Sequence, residues 1–157
     1  MTGFWGAITG RTKPKKADLD SLFLIPSAAV TLDTSAGLLP TGSGSVCFRA
    51  ADGPAYQQTQ DDVEGLCTDL HAVNTALEEQ GFGDGLLCSV VPFADRSARK
   101  VGLVYLYKRG TFYGFAPNGP KTRDNLLEIQ LRDELKAELP MEEDLQRWLA
   151  LWGAPGL

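Results

Sequence analysis

Histidine occurs once in this 157-residue chain, methionine twice and cysteine three times. The three cysteines, Cys47, Cys67 and Cys88, are odd in number and far apart. That excludes a disulfide framework as the basis of the fold and points to reduced, mostly buried thiols. No apolar run approaches the roughly 20 residues that a transmembrane helix needs. The first apolar stretch is too short for a secretory signal, and its basic residues follow it instead of preceding it. The expectation is therefore a cytoplasmic protein. A GxGxxG motif is missing. The glycine-rich stretch Leu38–Ser45 lacks the Gly-Lys-Ser/Thr ending of a phosphate-binding loop, so it reads as a plain hairpin loop.

Charge is modest and unevenly placed. The net value of −5 comes from 15 basic and 20 acidic residues. Residues 1–16 hold Arg11, Lys13, Lys15 and Lys16 and no acid, so all 20 acids face only 11 basic residues in the remainder. A basic head on an acidic body does not suit nucleic-acid binding by the body. Residues 1–16 read as a flexible head and residues 17–157 as a single domain. In the head, Phe4, Trp5 and Ile8 share one side of a short helical turn. Two uses fit. The aromatics tuck into the domain as an ordinary terminus, or they enter a lipid headgroup region while the four basic residues sit on anionic lipid at about 1 kcal/mol per charge.

What the chain does contain is a strong hairpin, Lys100–Pro117. Alternation places Val101, Leu103, Tyr105 and Tyr107 on one side of a strand and Val104 and Leu106 on the other. Arg109-Gly110 reads as a two-residue turn, which sets Tyr107 opposite Phe112 and Leu106 opposite Tyr113. Leu86–Phe93 adds a third strand to this meander, and strands are also expected at 28–33 and 45–50. Asp18–Leu24 reads as a short helix, with Leu19, Leu22 and Phe23 inward, stopped by Pro26.

A long central helix follows, capped by Thr59 or Asp61 and running to about Gln80. Val63, Leu66, Leu70, Val73 and Leu77 form its apolar stripe, and Gly81 is its stop. A second helix, capped by Asp124 or Asn125, carries Leu127, Leu131, Leu135 and Leu139, with Glu128, Arg132, Asp133 and Lys136 toward water. Pro140 breaks it. A short last helix then places Trp148 and Trp152 one turn apart, with Glu142, Glu143 and Asp144 in its first turn. The fold expected is α+β: a mainly antiparallel sheet of about five strands, the long central helix packed on one face, and C-terminal helices.

No catalytic motif is found. Cys47, Cys67, His71 and Cys88 could supply four zinc ligands, but the close ligand pairs of zinc sites are missing. Cys67 and His71 lie one helical turn apart, yet no third, orienting residue can be placed beside them. Core thiols and an ordinary histidine are the simpler reading, and no cofactor is expected. A pocket between helix and sheet would draw on Tyr56, Tyr105, Tyr107, Arg109 and Tyr113, whose polar tips sit on apolar bodies.

Several stretches, GFWGAITGRTKPKK, DLDSLFLIPSAAVTL, PTGSGSVCFR, FYGFAPNG and LPMEEDLQRWLALWGAPGL, together resemble the PspA-associated protein family PspAB, encoded with phage shock protein A. The resemblance spans nearly the whole chain. It implies a cytoplasmic accessory of the phage-shock, envelope-stress system in contact with PspA, a largely coiled-coil protein, and it brings no catalytic residues. The expected function is a non-enzymatic adaptor. It would use the sheet face or Trp148 and Trp152 for PspA, and Phe4, Trp5, Ile8, Arg11, Lys13, Lys15 and Lys16 for the inner membrane surface. The alternatives are a small-molecule-binding domain or enzyme built on the tyrosine pocket, and a scaffold that self-associates through the heptad stripe.

Overall fold

The computed structural model describes residues 18–49 and 54–157. A 3-10 turn, Leu19–Leu24, is capped by the Asp18 side chain and runs directly into helix α1, Ile25–Ala36. Pro26 therefore starts a helix instead of stopping one. It sits in the first turn, where its missing N–H would have no partner anyway. The strand expected at 28–33 is thus helical. Ile25, Ala28, Ala29 and Leu32 are buried together, which is the three-and-four spacing of one helical face. Gly37 closes α1 in the left-handed conformation, with φ of 67°. In the 3-10 turn Leu19 and Leu22 point inward, whereas Phe23 is exposed.

Two short segments follow, β1 (Leu39–Pro40) and β2 (Ser43–Phe48), so part of the expected loop belongs to the sheet. Strand β3 (Pro54–Thr59), which the sequence pattern did not signal, lies antiparallel to β2. Helix α2 (Val63–Glu79) is capped by neither Thr59 nor Asp61 but by Asp62, whose carboxylate accepts from the Gly65 N–H at 2.6 Å. At 17 residues it is the longest helix described, but it shares its layer with α1 and the 3-10 turn instead of spanning the sheet alone.

Strands β4 (Leu86–Ala94), β5 (Lys100–Leu106) and β6 (Thr111–Phe115) complete a six-stranded antiparallel sheet, ordered β3-β2-β4-β5-β6, with β1 also on β4. The hairpin register differs from the expected one. Leu106 pairs with Thr111, Tyr105 with Phe112 and Val104 with Tyr113, so the loop is Tyr107–Gly110 and not two residues. Because the shift is two residues, each side chain keeps its face. A small ribbon, β7 (Pro117–Gly119) with β8 (Thr122–Arg123), leads to helix α3 (Asn125–Leu135), capped by Asp124.

The sheet is covered on both sides. On one face α1, α2 and α3 bury Leu32, Leu66, Leu70, Leu131 and Leu135 against Val46, Phe93, Leu103, Tyr105 and Phe112. Each such side chain contributes about 1.5–3 kcal/mol when fully buried. The other face carries Cys88, Val90, Val104, Leu106, Tyr113 and Phe115, and Trp148, Leu151 and Leu157 pack across it. The expected C-terminal helix is not formed. Met141 makes a parallel bridge to Phe112 on the edge of β6, and only Leu145–Arg147 turns, as a 3-10 turn capped by Asp144. Extending over the sheet lets this segment cover apolar area that a helix would leave open.

Candidate functional site

Among the residues singled out from the sequence, the polar tips of the tyrosines are engaged inside the protein. Tyr105 Oη donates to the Asp18 carbonyl at 2.9 Å, Tyr113 Oη to the Leu149 carbonyl at 2.8 Å, Tyr107 Oη to Glu78 and Tyr56 Oη to Gln58. Burial pushes the Tyr105 phenol up to about 12, with the nearby Asp18 charge adding to it and Ser21 opposing it. Tyr105 and Tyr107 lie on the helix side of the sheet and Tyr113 on the other, so these rings do not converge on one cavity.

Arg109 turns to the C-terminal segment. Its Nε and Nη2 bond the two Glu142 oxygens at 2.8 and 3.0 Å, and Thr111 Oγ1 donates to the same carboxylate at 2.8 Å. Glu142 is 2% exposed, so it is a buried brace and not the first-turn helix-dipole partner expected. Burial favours its neutral form. The bonds from Arg109, the Asp144 N–H and Thr111 outweigh that and hold its pKa down to about 2.

The four residues weighed as zinc ligands are divided by the sheet. Cys67 is buried in the helix-side core, where burial pushes its thiol up to about 12. His71, one turn on, leaves that core to meet Asp20 at 3.0 Å and the Phe23 ring at 4.7 Å. Cys47 and Cys88 face the opposite side, directly across from one another on β2 and β4. Among the described residues no three His, Cys, Asp or Glu side chains form a metal-binding group. The Cys47–Cys88 juxtaposition was missed because it depends on a register between strands about 40 residues apart in sequence, which no local pattern encodes.

The two tryptophans part company as well. Trp148 is 6% exposed, stacks on Tyr113 with the rings 9° apart and donates from Nε1 to the Glu142 carbonyl at 2.9 Å. Trp152 meets Phe115 edge-on at 5.2 Å and remains 40% exposed. It lines an open groove of about 540 Å³ with Phe115, Arg99, Lys100, Lys121 and Leu157. Three elements build this groove. The β4–β5 loop is folded around Asp95, whose Oδ1 accepts from the Ser97 and Arg99 N–H groups at 2.9 and 2.8 Å while Oδ2 pairs with Arg99 at 3.0 Å. The β7–β8 turn supplies Lys121, and the C-terminal segment supplies Trp152. An aromatic face flanked by Lys100 and Lys121, with Arg99 paired to Asp95, suits an acidic or amphipathic surface. Phe4, Trp5, Ile8, Arg11, Lys13, Lys15 and Lys16 lie outside the described residues.

No helix among the described residues is long and apolar enough to cross a membrane. The architecture defines the class first: a small α+β protein whose antiparallel sheet is buried on both faces, with a half-exposed tryptophan in an open cationic groove. The family follows from comparison. The PspAB family, PspA associated protein B, matches residues 2–66 and 58–156, and the chain belongs to it. Neither the curated proteins nor the solved structures provide a match.

Proposed function

We propose that this protein is a non-enzymatic accessory of the PspA-centred envelope-stress response, acting by binding PspA. The observation that carries this reading is the family match, which extends over both halves of the chain and whose description names association with PspA. The Trp152 groove is the contact surface the geometry favours. The sheet faces are occupied by the helices and by the C-terminal segment, and Trp148 is spent on packing, whereas Trp152 is half-exposed. Tryptophan is enriched among the residues that dominate interface energy, and amphipathic helices dock their apolar faces in grooves. The basic head, residues 1–16, supplies a second attachment at an anionic membrane surface.

The test is an affinity pull-down from native cells with the full chain, a chain lacking residues 1–16 and the variant Trp152→Ala. Soluble and membrane fractions are analysed by mass spectrometry. Recovery of PspA by the full and shortened chains, with loss in Trp152→Ala, supports the groove as the contact. Loss in the shortened chain alone moves the contact, or the recruitment it needs, to the head. Absence of PspA in all three overturns the reading.

A further inference from the structure

Cys47 and Cys88 are register partners on adjacent antiparallel strands and lie on the same face of the sheet. Directly opposed residues in such a pair hold their Cβ atoms about 4.5–5.5 Å apart. A disulfide requires about 3.5–4.5 Å between the same atoms. The remaining approach is small, and the backbone on either side is suited to it. The β2–β4 register shifts between Cys47 and Phe48, and the β2–β3 register shifts between Val46 and Cys47, so the ladder is irregular at this point on both sides of β2. Bulges of this kind re-aim individual side chains without dismantling the sheet.

The two thiols are not equivalent. Cys88 is buried in the cluster with Val90, Leu106 and Tyr113, whereas Cys47 at its margin is only partly buried. We infer that Cys47 and Cys88 form a reactive dithiol, in which a hydroperoxide oxidises Cys47 and Cys88 resolves it to a cross-strand disulfide.

The electronic asymmetry runs the same way. Hydrogen bonding from Cys88 favours a thiolate on Cys47 and lowers its pKa, against the opposing effect of burial. Cys88 is pushed strongly upward by that same bond and by burial. The thiolate is the nucleophile in such chemistry, and an accessible thiolate beside a resolving thiol is the arrangement that oxidation selects. In the first step the Cys47 sulfur attacks one peroxide oxygen. The O–O bond breaks and an S–O bond forms, giving a sulfenic acid and a hydroxide that leaves as water. The sulfur loses two electrons and the peroxide gains them. In the second step the Cys88 sulfur displaces the sulfenic oxygen. An S–S bond forms, the S–O bond breaks, and the departing hydroxide takes the Cys88 proton as a second water. Cys67, on the other side of the sheet, is out of reach and stays reduced.

This inference does not depend on PspA binding. The reduced full chain is treated with stoichiometric hydrogen peroxide, the remaining thiols are alkylated, and the products are examined by intact mass and peptide mapping. The expected result is loss of two hydrogens, a Cys47–Cys88 linked peptide, one alkylated site at Cys67, and full reversal by dithiothreitol. In Cys88→Ser the reaction stops at the sulfenic acid, and a dimedone adduct appears on Cys47. In Cys67→Ser the linked peptide forms as in the parent chain. The inference is overturned if the folded parent chain yields no linked peptide, if Cys47 advances to the sulfinic acid with Cys88 still alkylatable, or if the link joins Cys67.

Discussion

Glu128, fully buried on α3, grips Arg123 through both carboxylate oxygens, at 3.0 and 2.9 Å from the guanidinium Nε. The same carboxylate accepts from the Ala116 N–H at 2.8 Å and from Asn125 at 3.0 Å. Arg123 in turn lies over the Phe115 ring at 4.9 Å and donates from Nη1 to the Trp148 carbonyl at 2.9 Å. One ion pair thus ties the end of β6, the β7–β8 ribbon, α3 and the C-terminal segment into a single junction. Sequence spacing placed Glu128 toward water, and it is instead the most deeply buried charge of α3.

Removing one member of a buried pair strands the other charge. Glu128→Ala is expected to destabilise the protein by about 3–5 kcal/mol. Chemical denaturation followed by tryptophan fluorescence measures this. The double variant Arg123→Leu, Glu128→Leu is expected to lose less than the single one, because no charge is left uncompensated.

Glu142 sets an acid limit. Its pKa in the folded protein, about 2, lies below the ordinary value of 4.5. A depressed carboxylate contributes stability that is present above the unfolded pKa and is lost as pH falls toward the folded one. Thermal melts between pH 6 and pH 2 are therefore expected to decline most steeply below about 4.5 in the parent chain. In Glu142→Gln the decline is shallower and the stability at neutral pH is lower.

Val30 distinguishes a helix from a buried strand at residues 28–33. In α1 it points outward and is 65% exposed. Val30→Lys is expected to change stability by no more than about 0.5 kcal/mol. A loss of several times that in a urea titration would contradict the helical assignment.

Gly85 has no room for a side chain. A Cβ placed there would lie 2.3 Å from the Phe48 ring, in the 3-10 turn Gly83–Gly85 that feeds β4. Gly85→Ala is expected to cost about 1–3 kcal/mol through overpacking, read as a lowered denaturation midpoint. Pairing it with Phe48→Leu is expected to recover part of that loss.

The legible parts of this fold were those encoded by local periodicity. The stripe of α2, the four leucines Leu127 to Leu139 and the alternation through Val101–Leu106 each declared a buried face without reference to anything distant. Pro26 was misread because proline at a helix start and proline at a helix end look alike until Ile25 and Leu32 are known to share a core. β3 was missed because PAYQQT is largely polar, as befits an edge strand. Glu128 was assigned to solvent and Glu142 to the first turn of a helix because spacing describes a helix's own faces, while their burial depends on Arg123 and Arg109 arriving from other elements. The Trp-rich ending suggested a helix by composition, but the apolar second face of the sheet drew it into an extended cover. Of the candidate site, Trp152 stood out in the sequence only as a candidate contact residue. The cationic rim from Arg99, Lys100 and Lys121 was not, since it exists only where two loops and the C-terminal segment meet.

The bridge between Phe112 and Met141 bears on how the chain is made. Before residues 140–157 have left the ribosome, the edge of β6 lacks its partner at Phe112 and the face carrying Tyr113 and Phe115 lacks its cover. Both are supplied by residues 140–157, which follow later in the chain. The nascent protein therefore carries an unguarded strand edge and a bare apolar face until that segment has been made, the state in which chains adhere to one another most readily. Premature termination after α3 would leave that state permanent, and a product of that kind belongs to the proteolytic machinery.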